Sequence, residues 1–397
     1  VDEDNDTDFT TFNPLSGEFG SIRADGGIVF DDGIFQPGRA GDLIRIRNVP
    51  HETDELAVSL GADYRLASRT RLAATLRYDR TERRHRQRGE TVDRRVRIQV
   101  SDRSGPWASL RVAGEFGRRA GDGYDDNPLA PFMSSTLDGF VALFEDRQQP
   151  IELSDLREFD LASRDQWVAD WQLRFNPGQR HDVAVGGRFV DDDFDAEFGL
   201  KTRRRISASA EWSYNFADNG SAFVHYSFQD FELDASGIND VGPIASDAAA
   251  GGPVFPLENL WRRGLDENNH AAGIGATYQW RRFLFEADYT FGLARTRRGF
   301  DFSGSGATAA GIDPETAAGG LPLQRFERHL LNASVRFPIT SRIGARLFYR
   351  LEAENIADPN FAGLDDPIAD NQLFLFTRPE DFTAHVIGIF VEVNASP

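Results

Sequence analysis

The chain has 397 residues and carries 44 basic against 63 acidic side chains, a net charge of −19, with no Cys, one Met (Met133) and one Lys (Lys201), so nearly all its positive charge is arginine. The acidic excess argues against nucleic acid as a partner, the missing thiols exclude thiol catalysis, zinc–cysteine sites and covalent c-type haem attachment, and no apolar run approaches the ~18–20 residues of a transmembrane helix. A soluble protein or a β-barrel remains, and 12% aromatic residues beside a negative mean hydropathy is the combination that a barrel with a greasy outer band and a polar interior requires.

Residues 1–16, VDEDNDTDFTTFNPLS, are acidic and aperiodic, and are expected to form a flexible, solvated arm. A weak first strand is expected across about 19–30, followed by a Gly/Asp/Pro-containing connection to about residue 53. From there apolar and polar residues alternate at the period of a strand. Leu56, Val58, Leu60, Ala62 and Tyr64 share one face, and Leu72, Ala74, Leu76 and Tyr78 continue it after a short turn; Asp63, Arg71, Arg77 and Asp79 fall on the other. The segment RTERRHRQRGETVDRR, 80–95, suits an aqueous loop with strand extensions beyond a bilayer. A second pair sets Val96, Ile98 and Val100 against Ala108, Leu110, Val112 and Phe116. The third joins Trp167–Phe175 to Val183–Phe189 through NPGQ, whose Asn, Pro and Gly suit a tight reversal. Ile206–Tyr214 and Ala222–Phe228 make the fourth. The fifth, 267–291, is the clearest: Ala272, Ile274, Ala276, Tyr278 and Trp280 share a face, and after two residues Phe283, Phe285, Ala287, Tyr289 and Phe291 resume it, with Arg282, Glu286 and Asp288 opposite. His329–Phe337 and Ile343–Leu351 form the sixth, and the chain ends in FTAHVIGIFVEVNASP.

Tight turns thus alternate with long Gly/Asp/Pro-rich connections. Six hairpins plus a first and a last strand give about fourteen strands, or sixteen if one hides in 34–48 or 151–161. The expected fold is all-β: a transmembrane antiparallel up-and-down barrel with short periplasmic turns and long extracellular loops, forming a single domain over 17–397 in the bacterial outer membrane. Trp167, Trp212, Trp261 and Trp280, and the arginines 203–205, are expected as interface anchors. This reading requires Phe283, Phe285, Tyr289 and Leu347 to face lipid while Arg77, Glu286 and Arg346 are enclosed.

The stretches 156–200, 207–232, 321–352 and 381–393, among them LREFDLASRDQWVADWQLRFNPGQRHDVAVGGRFV and DFTAHVIGIFVEV, resemble the outer-membrane barrel of porin–cytochrome conduits, the MtrB/PioB family. The likeness of pattern runs over about 50–394. It implies a barrel that carries no haem itself and sheathes or docks a periplasmic multihaem c-type cytochrome. Electrons would cross outward to external acceptors, an extracellular cytochrome among them, or inward from donors such as ferrous iron. Typical members are considerably longer, so this chain is expected to match the C-terminal portion of the pattern. Some members also carry an N-terminal Cys pair that is absent here. A fourteen-strand barrel is narrower than porins of about 16–18 strands, which leaves threading, docking at the mouth and a slimmer cytochrome as alternatives. The residues alone also admit a general porin or solute channel with a mixed-charge lumen. An enzyme is not expected, because no nucleophile–base pair or nucleotide-binding fingerprint stands out.

The inward face is expected to carry Arg71, Arg77, Arg95, Arg97, Arg111, Arg174, Arg188, Arg205, Arg336, Arg346 and Arg350 against Asp63, Glu115, Asp170, Asp182, Glu211, Glu286 and Asp288. All of these arginines except Arg71, Arg95 and Arg205 are singled out as candidate partner contacts. Guanidinium groups grip carboxylates with two prongs. These arginines therefore suit a partner's haem propionates or a self-neutralising ladder, which is the commoner use. His225, inward beside Gln229, is the histidine singled out as a lumen contact; the other six are expected near strand ends or loops, without metal spacing. The acids of VDDDFDAEFG, 190–199, offer oxygen ligands of the kind Ca²⁺ takes. They lack the Gly and closing Glu of an EF-hand and are expected in a solvated loop, as are Asp122, Asp125 and Asp126.

Overall fold

The computed structural model describes residues 52–105, 107–125, 156–238, 260–302, 322–340, 342–358 and 381–393, with a few short pieces elsewhere. Every regular element among them is a β-strand. Thirteen long strands carry the fold: β1 (Thr53–Arg65), β2 (Thr70–Arg83), β3 (Glu90–Gly105), β4 (Ala108–Gly121), β5 (Ser163–Phe175), β6 (His181–Asp195), β7 (Phe198–Ala217), β8 (Gly220–Ile238), β9 (Leu260–Trp280), β10 (Phe283–Phe302), β11 (Gln324–Pro338), β12 (Ile343–Ala357) and β13 (Phe382–Val393). Each pairs antiparallel with the next in sequence order, so every interior strand satisfies its backbone on both sides, as hydrocarbon demands.

Asp2–Glu3 adds a fourteenth, two-residue strand against Thr53 and Asp54 of β1, which brings the sheet path to the expected count. The strand expected across 19–30 does not join it. Gly20–Ile22 pairs with Ile28–Phe30 in a separate small sheet, so the run divides into two short strands that face each other. The arm at 1–16 lies outside the described residues apart from Asp2–Glu3, and so does 34–48. Within 151–161 only Leu156–Arg157 forms a strand, parallel to Phe198–Gly199 of β7.

All odd-numbered strands run from the long-connection end to the short-turn end. The edges β1 and β13 therefore run parallel to each other, and antiparallel closure between them takes an odd number of strands. Among the described residues Asp2–Glu3 stands in that position, and β13 pairs with β12 alone.

A core of the soluble kind is nearly missing: seven apolar side chains are buried among the described residues, including Leu161, Phe194 and Phe198. The large ones look outward, with Leu60 68%, Ile387 73% and Ile389 71% exposed. A water-soluble monomer rarely leaves more than a few hundred Å² of contiguous apolar surface, whereas here the band runs from Leu56 on β1 to Val393 on β13. Phe285, Tyr289 and Leu347 lie on this outer band, while Arg346 faces Glu286 at 4.0 Å on the other side of the sheet. Aromatic rings border the band at both ends. Trp212 and Tyr214, and Trp280, Phe283 and Phe337, cluster at the short-turn end; Phe116 meets Trp167 with centroids 4.7 Å apart at the other. Such girdles mark the two membrane–water interfaces. Strands of up to 21 residues exceed the ~9–11 needed to cross, so they project past the girdle at the long-connection end.

Candidate functional site

Side chains alternate across each strand, so the enclosed face follows directly from the register. It carries all nine residues singled out from the sequence. Six of the arginines are held by acids: Arg77 by Asp79 at 2.7 Å, Arg97 by Asp170 at 2.7 Å and Glu115 at 3.6 Å, and Arg174 by Asp182 at 3.5 Å. Arg336 meets Glu392 at 3.7 Å, Arg346 meets Glu286, and Arg350 meets Glu352 at 2.8 Å. This is the self-neutralising ladder.

The other three gather on one stretch of wall. Arg111 donates to the Gln172 amide oxygen at 2.9 Å, which leaves its charge without an acid partner. Arg188 lies in register between Asp170 and Ser207 and makes no ion pair or hydrogen bond among the described residues. His225 stacks on Phe223 at 6.0 Å and lies over Gly273, where a Cβ would collide with the imidazole. Ser207, Ser209, Ser227 and Ala271 keep the wall low between them, leaving a hollow with the two guanidinium groups and Asp170 on one side and the imidazole beside Glu211 on the other.

A second cluster was not legible as a site. Asp192, 1% exposed, takes Arg203 Nη2 at 2.7 Å and Gln166 Nε2 at 2.6 Å, with Arg164 at 3.6 Å. Arg164 continues to Asp93, Arg95 joins Asp93 to Asp79, and so one chain of charges crosses the wall from β2 to β7. The expected loop at 190–199 is thus corrected: β6 runs to Asp195. Alternation sends Asp192 inward and Asp191 and Asp193 outward, so like charges adjacent in sequence are parted and cannot converge on a cation. Among the described residues no group of three or more acids or histidines is placed to hold a metal. Asp191 and Asp192 stand opposite Arg204 and Arg203, which makes those arginines cross-strand partners. Pairing residues symmetrically about 197–198 would have revealed this from the sequence.

Of the histidines, His329 and His385 fall on the outward faces that alternation assigns them and His225 falls inward. Three lie within strands on the outer face, each bonded to a tyrosine hydroxyl of the neighbouring strand: Tyr226 with His270 at 2.8 Å, Tyr289 with His329 at 2.8 Å, and Tyr349 with His385 at 2.9 Å. At the long-connection mouth, residues 156–162 fold against the wall. Arg88 donates to the Leu161 carbonyl at 2.8 Å and the lumen-facing Arg119 to that of Ala162 at 2.9 Å. Gly199, at φ 105°, lets the backbone of Arg157 approach, since a Cβ there would lie 2.5 Å from its carbonyl oxygen.

Comparison with known proteins adds to this geometry. The family model for outer membrane beta-barrel porins of the MtrB/PioB type matches residues 1–394. Outer membrane protein MtrB of Shewanella baltica (strain OS185) is 24% identical over 230 residues, which are 55% of this chain and 30% of that protein, so the match takes in less than a third of the relative's length. Among solved structures, the closed form of the ferric-catecholate import receptor Fiu from E. coli K12 superposes with a TM-score of 0.48 at 12% identity, over 87% of this chain and 54% of that one. The copper transporter OprC gives 0.40 at 14%, over 94% and 45%.

Proposed function

Because the chain belongs to the MtrB/PioB family of outer-membrane β-barrel porins, we propose that it is the non-haem wall of an electron conduit, sheathing or docking a multihaem c-type cytochrome. Without cysteine it offers no thiol for covalent haem attachment, so the haem is the partner's. The chain's own part is to bind, orient and insulate, and it performs no catalysis.

The hollow framed by Arg111, Arg188 and His225 carries this reading. In a protein of net charge −19, Arg111 and Arg188 make no ion pair among the described residues, on a wall lowered by serines where Asp170 already serves Arg97 and Glu211 stands across the hollow. Guanidinium groups inside a protein-lined space suit carboxylates, whether haem propionates at a cytochrome's edge or its acidic side chains. The six acid-paired arginines hold the wall and have no charge to spare.

Isolation from the native outer membrane in mild detergent tests this. Visible absorbance of c-type haem co-migrating with the barrel is the expected result. A barrel free of cytochrome that conducts ions in a planar bilayer would overturn the proposal in favour of a solute channel, the reading that the ladder of paired charges around a wet lumen favours.

A further inference from the structure

The outer face of β9–β12 is not uniformly convex. Ala276, Ala287 and Ala333 stand in one row across β9, β10 and β11, and the row meets Tyr349 on β12. Larger neighbours, Tyr278, Phe285 and Leu347, border them, leaving an apolar depression of about 490 Å³ in the lipid-facing band. Tyr349 bonds His385 at the level of this row, and the Tyr289–His329 pair begins two residues toward the long-connection end. Further along, the outward positions change character. Arg295 on β10 stands directly opposite Arg325 on β11, two like charges in one cross-strand pair. Such a pair is unfavourable by itself. Arg325 has Glu327 beside it, while Arg295 is exposed and makes no ion pair or hydrogen bond among the described residues.

The spacing matches one membrane leaflet. Eight residues separate Ala287 from Arg295, roughly 26 Å along a strand at about 3.3 Å per residue and roughly 20 Å of height at a tilt near 40°. Half of a hydrocarbon core is about 15 Å, which leaves the remainder for a headgroup. We propose that this face is a binding site for a phosphorylated, multiply acylated glycolipid of the outer leaflet. An acyl chain occupies the alanine depression and runs past the Tyr–His pairs, and a phosphate lies between Arg295 and Arg325. The phosphate supplies the counter-charge that Arg295 lacks among the described residues, Arg325 already having Glu327, and a bidentate guanidinium fits it well. Lipid is the solvent of this face, so the occupant must be amphiphilic.

Native mass spectrometry of the purified full chain with added hexa-acylated lipid A tests the proposal. Stoichiometric lipid A adducts are expected on the unaltered barrel. R295Q/R325Q should retain roughly ten-fold less, as the loss of charge-assisted hydrogen bonds implies. A333F, which fills the depression and leaves both arginines in place, should also lose the adduct. L60F on β1, outside this face, should not. Heat-modifiable migration in SDS gels confirms that each variant is folded. Unchanged retention in R295Q/R325Q, an equal loss in L60F, or displacement of the lipid by inorganic phosphate alone would overturn the proposal.

Discussion

Asp192 shows what one residue does in this wall. Its side chain is fully enclosed, and its oxygens are shared by Arg203, Gln166 and Arg164. Two charges withdrawn from water offset their desolvation only when paired, and removing one partner leaves the other exposed to the full penalty. Asp192→Ala should therefore destabilise the barrel by about 3 kcal/mol, seen as an earlier midpoint of urea unfolding in liposomes. Asp192→Asn should cost less, because the amide oxygen still accepts from a guanidinium. A midpoint for the alanine variant equal to that of the parent would show the network to be incidental. The Tyr–His pairs follow similar logic on the opposite face. A polar imidazole near the apolar band needs a partner, and a tyrosine hydroxyl on the adjacent strand supplies it at 2.8 Å for His270 and His329.

At the scale of the strand, the sequence announces which side faces what. Period-two alternation places Ile274, Tyr278 and Phe285 outward and Glu286 and Arg346 inward, and the observed register agrees at each of these positions. The cysteine-free chain allows a direct check. Single cysteines at Ser209 and Ser227 should react with a small water-soluble maleimide in intact outer membranes. Cysteines at Ile274 and Leu347 should stay unmodified until the membrane is dissolved. Labelling in the reverse order would invert the orientation and remove the membrane assignment. What alternation could not convey is where a strand ends. Charge density made 190–199 resemble a loop, yet β6 continues through Asp195, because the strand has passed the Trp167 girdle and is free to be as polar outside as inside. The same holds for the hollow at Arg111, Arg188 and His225. Their inward direction was legible residue by residue, but their gathering on one wall depends on long-range register, which joins β4 to β5 and β6 to β9.

For the whole molecule, charge and closure set the terms of any partnership. Among the described residues thirteen long strands present parallel edges, so antiparallel closure around a lumen would take an odd number of further strands. The lumen then receives both a ladder of ion pairs and the hollow where Arg111 and Arg188 make no ion pair among the described residues, and these make opposed demands. A channel for solutes depends on the charge of the whole wall, and quenching two arginines shifts its ion selectivity toward cations. A docking wall depends on the hollow. Arg111→Gln together with Arg188→Gln should therefore lower co-purified c-type haem roughly ten-fold if two charge-assisted contacts hold the cytochrome. Arg174→Gln, nearer the short turns and already bound to Asp182, should leave the haem content unchanged. Equal haem content in both variants, with altered reversal potential in the first alone, would assign the hollow to ion flow and remove it from the cytochrome interface.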